Sequence, residues 1–222
     1  MKKLIVAVMA CLPLMGMAQD NVWEIPQNQP QQQVKKRGAL IESKKKEEDP
    51  KYLAGAVPEV NGEVVFTLDA DVPGMSADEI YNKVYAVFEE IVNESKNPEL
   101  QPQSRIAAVN KGEHSIAARI KEWLVFSNKF LSLDQTELNY NLVAQASDGH
   151  IKVTMDHINY AYEMNRGDSE GLRVKAEEWI TDKVAINKKG KLVKGSAKFR
   201  RKTIDRKDNI FNRVRAALGI QK

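Results

Sequence analysis

The chain contains three histidines, His114, His150 and His157, and one cysteine, Cys11. A zinc site needs three or four ligands converging at about 2 Å. His150 and His157 both lie in the alternating run HIKVTMDHINYAYEM. Extended chain would hold them about 23 Å apart, on opposite faces, so they cannot share a metal. Asp156-His157 has the composition of an acid–base pair. Neighbours on a strand face opposite sides, so the two side chains are expected to diverge. Glu89-Glu90 and Glu177-Glu178 fall in helical patterns, where adjacent side chains project about 100° apart. No Gly-x-Ser-x-Gly and no GxxxxGK[ST] loop occurs, so neither a nucleophile elbow nor a phosphate cradle is indicated. The expectation is a non-catalytic protein, with no catalytic, metal or cofactor residues.

Cations supply the other chemistry. KFRRKTIDRKDNIFNRVRAAL, residues 198–218, carries eight cations and two anions. Arg200, Arg201, Lys202, Arg206, Lys207 and Arg213 are candidate contacts for an anionic partner. The same segment has Ile204, Phe211, Val214 and Leu218 on one stripe. Burying such a stripe stabilises by roughly 1.5–3 kcal/mol for each large side chain. The segment is therefore expected to dock on its own domain with a basic rim left open. A helix lying on an anionic membrane surface is the alternative. Charge asymmetry permits the docked form: residues 19–182 hold 18 cations and 28 anions, whereas 183–222 hold 14 and 2.

The compartment is read from MKKLIVAVMACLPLMGMAQD. Lys2 and Lys3 precede an apolar run, Leu4 to Met15, which ends in the small residues Gly16-Met17-Ala18. This is the pattern of a secretory signal cleaved after Ala18; the run falls short of the roughly 20 residues a spanning helix needs. Cys11 would leave with it, so no disulfide is expected in the mature protein. An exported protein of the periplasm or cell envelope follows, and nucleic acid is not an expected partner.

Those residues must be positioned by a fold. Residues 19–57 are polar and charged without apolar periodicity and read as a flexible leader. A core is expected over 58–165 and a C-terminal helical extension over 166–222. GEVVFTLDADV alternates as a strand. Ser76 and Glu79 form a capping box before Ile80, Val84, Val87, Phe88 and Ile91 at helical spacing. SRIAAVN, HSIAARIKEWLVF, TELNYNLVAQA and HIKVTMDHINYAYEM follow as strands, the last two joined by an Asp148-Gly149 turn. AEEWITDKVAIN reads as one helix and TIDRKDNIFNRVRAALG as another, ended by Gly219. Tyr81, Tyr85, Tyr140, Tyr160, Tyr162, Trp123 and Trp179 read as packing residues. The order of strand, helix and four strands predicts an α+β fold: an antiparallel sheet with helices on one face.

KYLAGAVPEVNGEVVFTLDADVPGMSADEIYNKVY, YNLVAQASDGHIKVTMDHINYAYE and AEEWITDKVAINKKGKLVKGSAKFRRKTIDRKDNIF, in that order, resemble an exported bacterial family, domain of unknown function 4468 (DUF4468), with a TBP-like fold. The resemblance spans about Lys51 to Leu218. It implies a curved antiparallel sheet of about five strands with helices on one face, and it supplies no catalytic or ligand-binding residues. The functional expectation is an exported binding or structural module for an unidentified envelope protein or ligand. An envelope hydrolase with an unrecognised site and a peripheral anionic-lipid-binding protein are the alternatives.

Overall fold

A computed structural model describes residues 47–95, 103–129, 132–164 and 171–221. The cleavage site after Ala18 and the leader before residue 47 lie outside the described residues. A 3-10 turn at Pro50–Tyr52 comes first. Then follow β1 (Glu59–Val60), β2 (Glu63–Val64), β3 (Phe66–Asp71), α1 (Ala77–Ser95), β4 (Arg105–Asn110), β5 (Ser115–Lys129), β6 (Ser132–Ser147), β7 (His150–Tyr162), β8 (Leu172–Lys175), α2 (Ala176–Trp179), α3 (Asp182–Ala185) and α4 (Lys194–Leu218).

The main sheet is antiparallel with six strands in the order β3-β7-β6-β5-β4, and β8 also pairs with β7. β3 takes residues 150–155 of β7, and β8 takes 159–162. Both lie along the edge of β7 that β6 leaves free. The sequence suggests about five strands; β8 is the additional one. It is only four residues long with a half-exposed pattern, too short for alternation to stand out. It also places part of the expected helical extension inside the sheet.

Even-numbered positions of β5 and β6, from Ile116, Ala118 and Ile120 to Leu138, Tyr140, Leu142 and Ala144, are buried. With Ile151, Val153 and Met155 they meet Ile80, Val84, Phe88 and Ile91 of α1 and Ile204, Phe211, Val214 and Leu218 of α4 in one core. The start of α1 is fixed twice. Ser76 and Glu79 close the capping box, with Ser76 N donating to Glu79 Oε2 at 2.9 Å. Ala77 N donates to Asp148 Oδ1 at 2.8 Å, which ties the β6–β7 turn to the helix.

Three segments differ from the sequence reading. AEEWITDKVAIN is two single turns, because Thr181 between them is extended, at φ −64° and ψ 162°. α4 begins at Lys194, well before Thr203, since Ala197, Phe199 and Arg200 continue its buried stripe. That burial outweighs the weak helix propensity of Gly195. Residues 48–57, assigned above to a flexible leader, pack on the body: Val57 is buried, and the carbonyls of Tyr52 and Leu53 accept hydrogen bonds from Arg200. Polar composition concealed this anchoring, because it runs through backbone carbonyls and through polar side chains, Lys51 and Tyr52 both donating to Asp205 Oδ1 at 2.7 Å.

Candidate functional site: the open sheet face and the His157 bulge

With even positions of β5 turned to the helices, Arg119, Lys121 and Trp123 face the other way. Register then builds rows across the strands. Arg105, Arg119, Asn141 and Asp156 stand opposite one another in turn. So do Lys121, Asn139, Asn159 and Lys175, and Trp123, Glu137, Ala161 and Arg173. Directly opposed side chains in antiparallel pairs are about 5 Å apart. These three rows are a grid of amides and charges of both signs, while the same face also exposes Val125, Leu133 and Val143. Lys121 and Glu137 form an ion pair between two rows. Trp123 is half-buried and its indole N–H has no hydrogen-bond partner among the described residues. It borders a shallow hollow with Gln135, Glu137 and Glu163.

A bulge interrupts this grid. Two residues of β7, His157 and Ile158, oppose the single Tyr140 of β6, where the register shifts between Asn139 and Asn141. His157 has φ +52°, the left-handed conformation that costs a side-chain-bearing residue of order 1–3 kcal/mol. The bulge breaks the alternation from which Asp156 and His157 were expected to diverge. Instead, His157 Nδ1 lies 2.6 Å from Asp156 Oδ1. The Asp156 hydrogen bond and charge, with weaker help from Glu63 and Glu177, raise the His157 pKa above its ordinary value of 6.5. The bulge occupies the gap between β3 and β8 on the edge of β7. Glu63, Asn159, Lys175 and Glu177 line a hollow of about 190 Å³ there. Glu177 is fixed in place, its Oε1 accepting from Val64 N at 2.6 Å.

The other histidines lie apart from this hollow. His150 stands between two carboxylates of β3, with Nε2 at 3.0 Å from Asp69 Oδ1 and Nδ1 at 3.0 Å from Asp71 Oδ1. His114 Nε2 lies 3.1 Å from Asp78 Oδ1 on α1. Among the described residues no three His, Cys, Asp or Glu side chains form a group able to hold a metal ion.

The expected cationic contacts are dispersed by their internal partners. Arg200 is fully buried and cannot meet an outside partner. Its Nε donates to Tyr52 O at 2.7 Å, Nη1 to Ile180 O at 2.6 Å, and Nη2 to Leu53 O at 2.6 Å and Asp182 Oδ1 at 2.7 Å. It thereby joins the 3-10 turn, the break between α2 and α3, and α4. Arg201 grips Glu48 through Nε at 2.6 Å. Arg206 binds Glu122 with two bonds of 2.8 Å. Tyr140 donates to the same carboxylate at 2.8 Å; burial, then the Glu122 charge, push the pKa of this phenol well up. Arg213 spans Glu90 at 2.8 Å and Glu94 at 2.7 Å on α1. Lys207 meets Asp208 at 2.5 Å. Lys202 is exposed. Lys198, not singled out in the sequence, meets Asp134 and the Tyr162 hydroxyl at 2.9 Å and lies 4.2 Å from the Tyr162 ring centroid.

A six-stranded antiparallel sheet, covered on one face by helices and leaving the other open, defines an α+β protein of TBP-like architecture. Residues 66–161 match the family model described as "Domain of unknown function (DUF4468) with TBP-like fold". The crystal structure of a DUF4468 family protein from Bacteroides ovatus is 42% identical, with a TM-score of 0.70, covering 78% of this chain and 96% of that one. The crystal structure of a TBP-like protein from Parabacteroides distasonis is 22% identical, with a TM-score of 0.59, over 75% of this chain and 99% of that one; it shows the fold alone. No curated protein matches the chain. At 42% identity across almost the whole of the Bacteroides relative, the chain belongs to the DUF4468 family.

Proposed function

We propose that this protein is an exported, non-catalytic binding module of the cell envelope that recognises an extended polar partner on its open sheet face. The row Lys121, Asn139, Asn159 and Lys175 carries the proposal. Two amides beside the Lys175 ammonium, with the Lys121–Glu137 ion pair at the other end of the row, offer donors and acceptors at strand spacing, which suits a chain laid across the sheet. Trp123, in the adjoining row, adds an apolar ring surface, its indole N–H being buried. The signal-like N-terminus supports placement outside the cytoplasm.

The test is amide NMR of the isotope-labelled protein titrated with solubilised envelope fractions. Shifts gathered on β5, β6 and β7 at these rows, and lost in the Asn139→Leu/Asn159→Leu variant, are expected. Shifts confined to α1 and α4, or turnover of an envelope component by the protein, would overturn the proposal.

A further inference from the structure

The stretch from Lys183 to Lys194 contains five lysines, at 183, 188, 189, 191 and 194, and no acidic residue. All five are exposed. Lys183 reaches Glu59 at 3.3 Å; Lys188, Lys189, Lys191 and Lys194 meet no carboxylate among the described residues. The neighbouring acid, Asp182, is held by Arg200 through Oδ1 and by Gly55 N through Oδ2, so it does not neutralise them.

These lysines are presented by a built turn. Ile186 and Leu192 form an antiparallel bridge. Val193 N donates to Ala185 O at 2.9 Å. Asn187 Oδ1 accepts from Lys189 N at 2.9 Å and Lys191 N at 3.2 Å. Gly190 turns the chain at φ +70°, a conformation glycine adopts without steric cost. At the base of the turn, Val184 and Val193 are 40% and 38% exposed, among the large apolar side chains left in solvent.

We infer that this turn is a contact for the anionic surface of a lipid bilayer, with the lysines meeting headgroup phosphates and Val184 and Val193 entering the interfacial layer. Cations on a preformed turn with apolar side chains beside them fit such a surface. A soluble polyanion would use the charge and leave the valines without a role. The site lies outside the open sheet face and does not depend on the function proposed for it.

The measurement is co-sedimentation with phosphatidylcholine vesicles, with and without phosphatidylglycerol, at low salt. The chain starting at Gln19 is used, so that Leu4–Met15 cannot itself insert; it contains the whole compact unit Lys46–Lys222. Binding is expected only to the anionic vesicles. It should weaken about fivefold for each lysine removed, so about a hundredfold in Lys188→Gln/Lys189→Gln/Lys191→Gln. Val184→Ser/Val193→Ser, with charge unchanged, should weaken it about tenfold. Unchanged melting temperatures would show that the variants remain folded. Absence of binding, equal binding to neutral vesicles, or full binding by either variant would overturn the inference; in the valine case the contact would be with charge alone.

Discussion

Helix α4 and the lysine turn before it are both strongly basic in the sequence, yet their cations do opposite things. On α4, Arg200, Arg201, Arg206 and Arg213 close onto Asp182, Glu48, Glu122 and Glu90. The acidic body neutralises the helix and the helix covers the core. In the turn, Lys188, Lys189, Lys191 and Lys194 point into solvent. Charge density alone therefore does not mark a binding surface; what matters is whether carboxylates arrive from elsewhere in the chain. Arginine suits the first role, because its planar fork matches carboxylates and backbone carbonyls. Lysine, a hydrated point charge on a flexible stem, suits the second.

The largest test of this contrast is Arg200→Ala. It removes the donor to the buried Ile180 carbonyl and to the half-buried Tyr52 carbonyl, and leaves Leu53 O with Ala56 N and Asp182 with Gly55 N. Removing one side of a fully buried charge pair destabilises by about 3–5 kcal/mol; Asp182 is 35% exposed, so a denaturant melt should show a loss toward the lower end of that range. A loss under about 1 kcal/mol would mean that Arg200 does not join these segments. Arg213→Gln should be milder. Its partners Glu90 and Glu94 are 65% and 54% exposed, and exposed pairs contribute about 1 kcal/mol or less. Smaller again is Lys189→Gln, expected within about 0.5 kcal/mol of the parent protein, as for surface positions away from buried features. If Lys189→Gln were as damaging as Arg213→Gln, the two basic regions would not differ as described.

Much of the fold was legible because burial imposes a period. Ile80 to Ile91 at helical spacing and Ile116 to Ile120 in alternation both marked the core correctly, and Ile204, Phe211, Val214 and Leu218 marked the docked face of α4. Interactions that use the backbone left no such trace. The carbonyls of Tyr52 and Leu53 receive Arg200, and no side-chain pattern announces a carbonyl. β8 was missed because four residues carry too little alternation. The His157 bulge was missed because one inserted residue is invisible until the partner strand is known. From that position onward the register shift changes which β7 residues share a face, so the rows of the open face could not be assembled from sequence.

The bulge gives a further small effect, the one most specific to it. Asp156, then Glu63 and Glu177, raise the pKa of His157 above 6.5, while desolvation by burial opposes them. A folded-state pKa above the unfolded one means that protonated His157 stabilises the fold. That contribution is complete below pH 6.5 and is lost as pH rises through the higher folded value. His157 is 63% exposed, so the effect is screened and should stay below about 1 kcal/mol. Asp156→Asn removes the principal partner but leaves Glu63 and Glu177. The variant should therefore be less stable than the parent at acidic pH, with the difference shrinking on the alkaline side. Thermal melts across that range decide it. A difference independent of pH would show that Asp156 acts on the bulge through packing alone. Asp156 and His157 would then be neighbours without electrostatic coupling, and the hollow beside them would be shaped by the backbone of β7.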